Sequence, residues 1–256
     1  MLNTVLKISV VIPTADRPAM LVASVTSALA QSLQPFEVLV VDNGRSAVDQ
    51  SILPETVRVL RTPPRIGPGK ARNHGAQEAR GDVIAFLDDD DLWQGDYLEK
   101  VAQRFLELEA DVVVGQLMRR LPDDTLQAYK LMPDSAAGQR SVFYSNPGVV
   151  GSNFNIKRQL FLDFAGFDET MPSSEDRDLL ARLLIAGKRL ASQPQAIAIS
   201  CDHAGERAHH NIVTGNWLFI RKHWRAMRAG ELYRACRALL RRVVLVRFGR
   251  YLPRSS

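Results

Sequence analysis

Three apolar runs in the first third of the chain break off abruptly into polar residues, and this pattern narrows the possible folds more than any other feature. Residues 7–12 (KISVVI) stop at Pro13-Thr14-Ala15-Asp16-Arg17-Pro18, residues 36–41 (FEVLVV) at Asp42-Asn43-Gly44, and residues 83–87 (VIAFL) at Asp88-Asp89-Asp90-Asp91. Runs rich in β-branched residues that lack the alternation of a half-exposed strand read as strands buried on both faces. That is the condition of a parallel sheet covered by helices. Between the first two runs, Leu21, Val25, Ala28 and Leu29 recur at helical spacing, which makes a strand–helix–strand unit with a right-handed crossover. Ligands of such sheets bind beyond the carboxyl ends of the strands, so the polar clusters mark the functional edge.

Four adjacent carboxylates repel one another, and a chain seeking only solubility would disperse them. Hard oxygen ligands at a strand end suit Mg²⁺ or Mn²⁺, with a substrate's phosphate oxygens completing the shell. If the chain stays extended there, Asp88 and Asp90 share one face while Asp89 looks away. The competing reading is an acidic loop whose last Asp caps the next helix.

The remaining pattern continues the alternation. Strands are expected over 57–61, 111–117, 149–156 and 196–200, and helices over 70–79, 95–109, 157–164 and 174–186, the last opened by the capping pattern Ser173-Ser174-Glu175-Asp176-Arg177. Periodicity fades over 119–146, which reads as loops and short strands. At 256 residues the economical organisation is one α/β domain, 1–212, with an appendage, 213–256. The appendage holds eleven Lys or Arg against one acid, Glu231, a charge of +10 that leaves −5 for the rest of a chain whose total is +5. Leu232, Cys236, Leu239, Leu240 and Val243 fall on one helical face there and Arg234, Arg237 and Arg241 on another. Such a helix either lies on an anionic membrane surface or packs against the body or a second subunit, as in a homodimer. Nucleic acid is not expected, because no readout module accompanies the charge. Two distant cysteines fit a reducing cytosol, and neither a signal peptide nor a membrane span is apparent, so the expected location is cytoplasmic, peripheral at the inner membrane face where the tail binds lipid.

Several residues at the expected edge carry chemistry. Asp42, followed by Asn43, can accept a hydrogen bond from a base N–H, and Arg17 can stack on a ring or meet a phosphate, although Asp-Asn-Gly is also ordinary turn chemistry. In residues 65–75 (RIGPGKARNHG), Gly67 and its neighbours hold the backbone open before a helix, so free N–H groups and the Arg72 charge can face a phosphate. The spacing is not that of a P-loop. His74 reads as solvent-facing or capping.

The order VVIPTADRP, LAQSLQPFEVLVVDNG, GPGKARNHG, GDVIAFLDDDDLW and GFDETMPSSEDRDLLARLLIAG resembles family 2 glycosyltransferases of the GT-A fold over roughly residues 5–205. The resemblance implies transfer of a sugar from a nucleotide-diphosphate sugar, with a UDP-sugar the first expectation, to a glycan or lipid-linked acceptor, with inversion at the anomeric carbon. It implies a metal-dependent, hexosyltransferase-type enzyme acting in polysaccharide biosynthesis. Pro13, Thr14, Asp16, Asp42 and Arg72 match the family's nucleotide-binding positions, Asp88 and Asp90 its D-x-D metal motif with Asp89 as a third acid between them, and Asp176 beside Glu175 its catalytic base. It further implies a third metal ligand at His203 and a donor or acceptor contact at Asn153. Read without the resemblance, Glu175-Asp176 is also an ordinary charge pair at a helix N-terminus. Rival functions are a sugar nucleotidyltransferase, which ordinarily opens with a glycine-rich loop where this chain has PTADRP, and a catalytically silent binding protein of the same fold.

Overall fold

The computed structural model describes residues 6–201 and 209–248, with side chains described for 211–245 of the latter segment. The chain opens with strand β1 (Ile8–Thr14), helix α1 (Pro18–Leu29), β2 (Glu37–Asp42), β3 (Val57–Arg61), α2 (Pro68–Glu78) and β4 (Val83–Phe86). These four strands pair in parallel in the order β3-β2-β1-β4. The register sets Thr14 beside Asp42 and Asp42 beside Arg61, so the polar stops of successive strands share one edge.

The second half comprises β5 (Asp91–Trp93), α3 (Tyr97–Leu108), β6 (Val112–Arg120), β7 (Leu126–Ala128), α4 (Ala136–Gln139), β8 (Phe154–Lys157), α5 (Arg158–Asp163), α6 (Glu175–Ile185), β9 (Leu190–Cys201), α7 (His209–His223) and α8 (Ala229–Phe248). The sheet continues from β4 through β8, β6 and β9 to β5, with β7 pairing on β6. The expected mostly parallel character holds strictly in the first half; beyond it β8 runs antiparallel to both β4 and β6, while β6 and β9 are parallel. Strand alternation divides the core between the two faces. Val11 of β1 packs with Phe86, Phe154, Phe167 and Leu179 on one side, whereas Val10 and Ile12 pack with Leu21, Val25, Leu98 and Val101 on the other. Gly75 lets α2 lie directly on the sheet, because a Cβ there would collide with the Val11 and Val41 side chains.

Three elements differ from the sequence expectation. The four aspartates do not prolong β4: the chain turns, with the Asp91 N–H donating to the Asp88 carbonyl at 3.2 Å, and Asp91 opens β5, which pairs with β9 at the far end of the sheet. β9 begins at Leu190, since the polar run Ser192-Gln193-Pro194-Gln195 crosses the sheet at a register shift opposite Gly115/Gln116 and hides the apolar pattern. Of 149–156, only the end from Phe154 is strand, preceded by a 3-10 turn over Gly151–Asn153.

The start of the basic tail is seated on the body. Phe219 of α7 is fully buried, with the Arg177 guanidinium 3.8 Å above its ring. His223 Nε2 lies 2.7 Å from the Asp178 carboxylate, which also receives Lys222 and Arg182, and Glu231 of α8 pairs with Arg140 at 2.6 Å. Burial works against the Asp178 charge, yet His223, Arg182 and Lys222 together hold its carboxyl below the ordinary range. Farther along α8, Leu240 and Leu245 are exposed.

If α7 is part of the core, Phe219→Ala should cost about 3–5 kcal/mol in urea unfolding. The half-exposed Trp217, changed to Ala, should cost no more than about 1 kcal/mol. Equal small losses for both would mean that α7 is not anchored.

Candidate active site

The loops after β1 and β2 are bound to each other through carboxylates. Asp16 sits in the left-handed region (φ 59). There its Oδ1 accepts the backbone N–H groups of Arg45 at 2.8 Å and Ser46 at 3.2 Å, while Oδ2 pairs with Arg65. The Ser46 bond foremost, with those from Arg45 and Arg65, outweighs loss of water and holds the Asp16 carboxyl below its usual range. Asp42 is buried and accepts from the Gly44 and Val48 N–H groups at 2.9 and 2.8 Å and from Arg61 at 2.6 Å. Three of the roughly four acceptor positions of a carboxylate are thereby filled from the protein. Asn43 donates its N–H to the Thr14 carbonyl, and its own carbonyl accepts from Arg65 N–H.

The aspartate turn distributes its four carboxylates. Asp89 is buried against Thr14, whose hydroxyl donates to it at 2.7 Å, and also receives Arg17 at 3.2 Å. The same guanidinium reaches Asp90 at 2.8 Å. Asp91 is buried too, accepting from the Ser152 hydroxyl and from Cys201 N–H at 3.3 Å. Burial, then the charge of Asp88, pushes its carboxyl up to about 7. Asp88, Asp90 and Asp91 line a cleft of about 650 Å³; Asp89 does not. The expected division between Asp88 and Asp90 on one side and Asp89 on the other is therefore present, but a turn produces it and not strand alternation.

Arg72 joins this turn to the start of α6. It projects from α2 and is almost entirely buried, with one terminal nitrogen on Asp88, the other 3.0 Å from Glu175, and its guanidinium 5.7 Å from the Phe167 ring centroid. Burial opposes its charge, but Asp88 and Glu175 more than compensate and raise its pKa above the ordinary arginine value. Its Nε has no hydrogen-bond partner. A Cβ on Gly151 would stand 2.6 Å from that guanidinium and 2.9 Å from the Asp88 carboxylate, so the pair needs glycine at this position. Next to Glu175, Asp176 is half-buried on the cleft wall, its Oδ1 accepting the Arg177 N–H at 2.6 Å. Loss of water, then the Glu175 charge, pushes its carboxyl up to about 7, with Arg72 pulling the other way. The capping pattern expected here is not formed: Ser174 is the N-cap in the left-handed region without a side-chain bond, and the Ser173 hydroxyl donates to the Asn211 carbonyl.

Other expected site residues lie elsewhere. Asn153 is fully buried and its amide is consumed by the Gly115 and Gly148 carbonyls and the Val150 N–H, so it clamps backbone and offers nothing to a ligand as placed. Pro13, Thr14, Asp16, Arg17, Asp42 and Asn43 gather at the adjacent edge without lining the cleft, and Gly67 caps α2 with positive φ. His74 borders a separate small groove with Lys70 and Asn73. His203 lies outside the described residues. Trp93 is a packing residue, stacked 4.4 Å from Tyr97 and donating its indole N–H to the Ser152 carbonyl. Cleft-lining residues not singled out from the sequence include Arg119, Lys130, Asn216 and Arg242; their elements become neighbours only through the sheet order and the packing of α7 and α8.

The donor chemistry fits a hard divalent cation, because carboxylates of one turn face one cleft. Among the described residues no three ligands stand together as a ready metal cage.

The family model for "Glycosyl transferase family 2" matches residues 9–164. A pre-mycofactocin glycosyltransferase of Mycobacterium tuberculosis is 32% identical over 206 residues, covering 77% of this chain and 43% of that protein. The succinoglycan biosynthesis protein ExoO of Rhizobium meliloti is 32% identical over 197 residues, covering 69% and 55%. The chain thus spans about half the length of these curated relatives. Among solved structures, S. aureus TarS 1–349 in complex with UDP-GlcNAc superimposes with a TM-score of 0.71 at 19% identity, over 97% of this chain and 76% of that one. This likeness establishes the GT-A fold.

Arg72→Met would leave Asp88 and Glu175 facing each other without their shared cation. Stability in urea at about pH 8 should fall by about 3 kcal/mol. Arg72→Lys, which keeps a cation between the two carboxylates, should lose less. Equal losses in both variants would show that the bridge is not what Arg72 provides.

Proposed function

This chain belongs to glycosyl transferase family 2, and from that premise we propose that it transfers a sugar from a nucleotide-diphosphate sugar, a UDP-sugar first, to an acceptor hydroxyl with inversion. The observation that carries the reading is the Arg72 bridge. It holds the aspartate turn and the Glu175-Asp176 pair in one cleft, so a site for a leaving diphosphate and a site for a base stand together.

In this reading Asp176 accepts the proton of the acceptor hydroxyl as that oxygen attacks the anomeric carbon. The bond from that carbon to the diphosphate oxygen breaks on the opposite face, and the nucleoside diphosphate departs with the electron pair. A carboxyl near 7 suits this work, being ionised often enough to accept a proton and basic enough to want one. Asp88 and Asp90 would hold Mg²⁺ or Mn²⁺, which when bound supplies positive charge against the leaving diphosphate. Arg72 keeps Glu175 paired, so the pair beside the acceptor carries one uncompensated carboxylate and not two. The edge residues Thr14, Asp16, Arg17, Asp42 and Asn43 are assigned to the nucleotide. Polysaccharide biosynthesis fits as the setting, since ExoO carries that description, with a glycan or lipid-linked acceptor.

The distal part of α8 supports a peripheral position on an anionic bilayer at the cytoplasmic face. Leu240, Val244 and Leu245 are exposed beside exposed Arg237 and Arg241, which matches apolar insertion with lipid phosphate at the rim. No helix among the described residues is long and apolar enough to cross a membrane.

Asp176→Asn should leave UDP affinity in the presence of Mn²⁺ unchanged and lower turnover by roughly 10²–10⁴, and the parent's rate should rise with pH up to an apparent pKa no higher than about 7, as Asp176 loses its proton. Asp90→Ala should abolish the Mn²⁺-dependent part of UDP binding; equal UDP affinity with and without Mn²⁺ in the parent, by calorimetry, would remove the metal from the scheme. For the surface, sedimentation with phosphatidylglycerol vesicles should capture the parent and not Leu240→Asp/Leu245→Asp. A concentration-dependent dimer in light scattering with no vesicle capture would assign that face to a second copy instead.

A further inference from the structure

The donor chemistry uses the acids of the cleft and Arg72, and leaves a group of cations on the remaining wall without a task. Arg242 of α8 and Lys130, which follows β7, both line the cleft, and both are exposed. Among the described residues neither is paired with a carboxylate. Arg119 of β6 also lines the cleft, its guanidinium 5.8 Å from the Tyr129 ring centroid.

The wall is not a solvated charge run. Along α8, Ala235 is buried, while Ala238 and Arg242 line the cleft, spaced at i, i+3 and i+7, so one stripe of the helix faces inward with a small residue leaving room beneath the guanidinium. Arg237 and Arg241 point elsewhere. The inward arginine is brought toward a second one: Arg177 is buried, its Nε donating to the Val142 carbonyl at 2.6 Å and its Nη1 to Asn216 at 2.9 Å. Burial foremost, with Arg242 adding to it against the pull of Asp176, lowers Arg177 to about 10. Another cation, Arg234, stacks 3.9 Å over Tyr144, which lines the same cleft. Cations concentrated on one part of a concave wall raise the local concentration of an anionic ligand there.

We propose that the acceptor is anionic, with a phosphate or carboxylate group near its accepting hydroxyl, and that Lys130 and Arg242 hold that group while Asp176 faces the hydroxyl. This rests on the reading of Asp176 as the base and names the acceptor class for it. Lysine offers a mobile point charge and arginine a planar fork, a combination that receives either a phosphate or a carboxylate. Asn211, also on the wall and exposed, is suited to a sugar hydroxyl.

The test is calorimetry on the full chain saturated with UDP and Mn²⁺, with glucose 6-phosphate, glucuronate and glucose as probes. The two anionic probes should bind roughly tenfold or more tighter than glucose. The preference should vanish in Lys130→Gln/Arg242→Gln and persist in Lys130→Arg/Arg242→Lys. Both side chains are exposed, so the variants should keep the parent's melting temperature. Equal affinity for charged and neutral probes in the parent, or a preference that survives the glutamine pair, overturns the proposal. So does capture of phosphatidylglycerol vesicles through these two residues with no sugar-phosphate binding, which would assign them to lipid headgroups. If the parent fails to bind UDP at all, the donor reading fails before any probe is added, whereas UDP binding without discrimination among probes fails this inference alone.

Discussion

A guanidinium locked between two carboxylates from distant parts of the chain organises the site. Arg72 comes from α2, Asp88 from the turn after β4, and Glu175 is the first residue of α6; the buried cation ties the three together. Ion pairs so deeply placed are a poor means of gaining stability, since apolar side chains of equal volume often serve better. Their retention here, at the cost of a glycine at position 151 and an unpartnered Nε, argues that position is what they provide. Without the bridge no ion pair would tie the aspartate turn to the start of α6 through Arg72.

The nucleotide edge is held differently. Asp42 is buried and satisfied by backbone N–H groups and Arg61, which makes it part of the loop's framework. Arg17 and Arg65, by contrast, are at least half exposed in their pairs with Asp89, Asp90 and Asp16. Exposed ion pairs contribute at most about 1 kcal/mol, so these two arginines can exchange a carboxylate for a phosphate at little cost. The edge thus combines a rigid frame with two cations that are cheap to redirect.

The strand ends were legible because a buried strand must be apolar and must stop where it meets water; β1, β2 and β4 were found from that rule, and with them the edge that carries Thr14, Asp42 and the aspartates. What local pattern cannot carry is direction after a stop. The aspartates turn instead of extending, because Asp89 and Asp91 are drawn inward by Thr14 and Ser152, partners 75 and 61 residues away. Asn153 invited a ligand role by its type and setting, yet three backbone groups that only the folded chain brings near consume its amide. β9 was foreshortened because its polar middle pairs where the register shifts, and a mean over such a segment looks like loop. Arg242 was one basic residue among many in the tail, and nothing in spacing alone separates the arginine that faces the cleft from those that face away.

The tail shows why its total charge says little about its duty. Lys222 and His223 are spent on Asp178, and Glu231 ties α8 to Arg140, so the first part of this basic segment acts inside the protein. The two residues that follow Asp176 are both held by α7: Arg177 by Asn216 and Phe219, and Asp178 by Lys222 and His223. A carboxylate at the first turn of a helix moves only as that helix moves, and α6 is gripped on one flank by Arg72 through Glu175 and on the other by α7. Asp176 is therefore positioned jointly by the amino-terminal half, which supplies Arg72, and by the carboxyl-terminal helices, which supply the opposing grip. A boundary drawn between body and tail at residue 212 separates, by sequence, two parts that both grip α6.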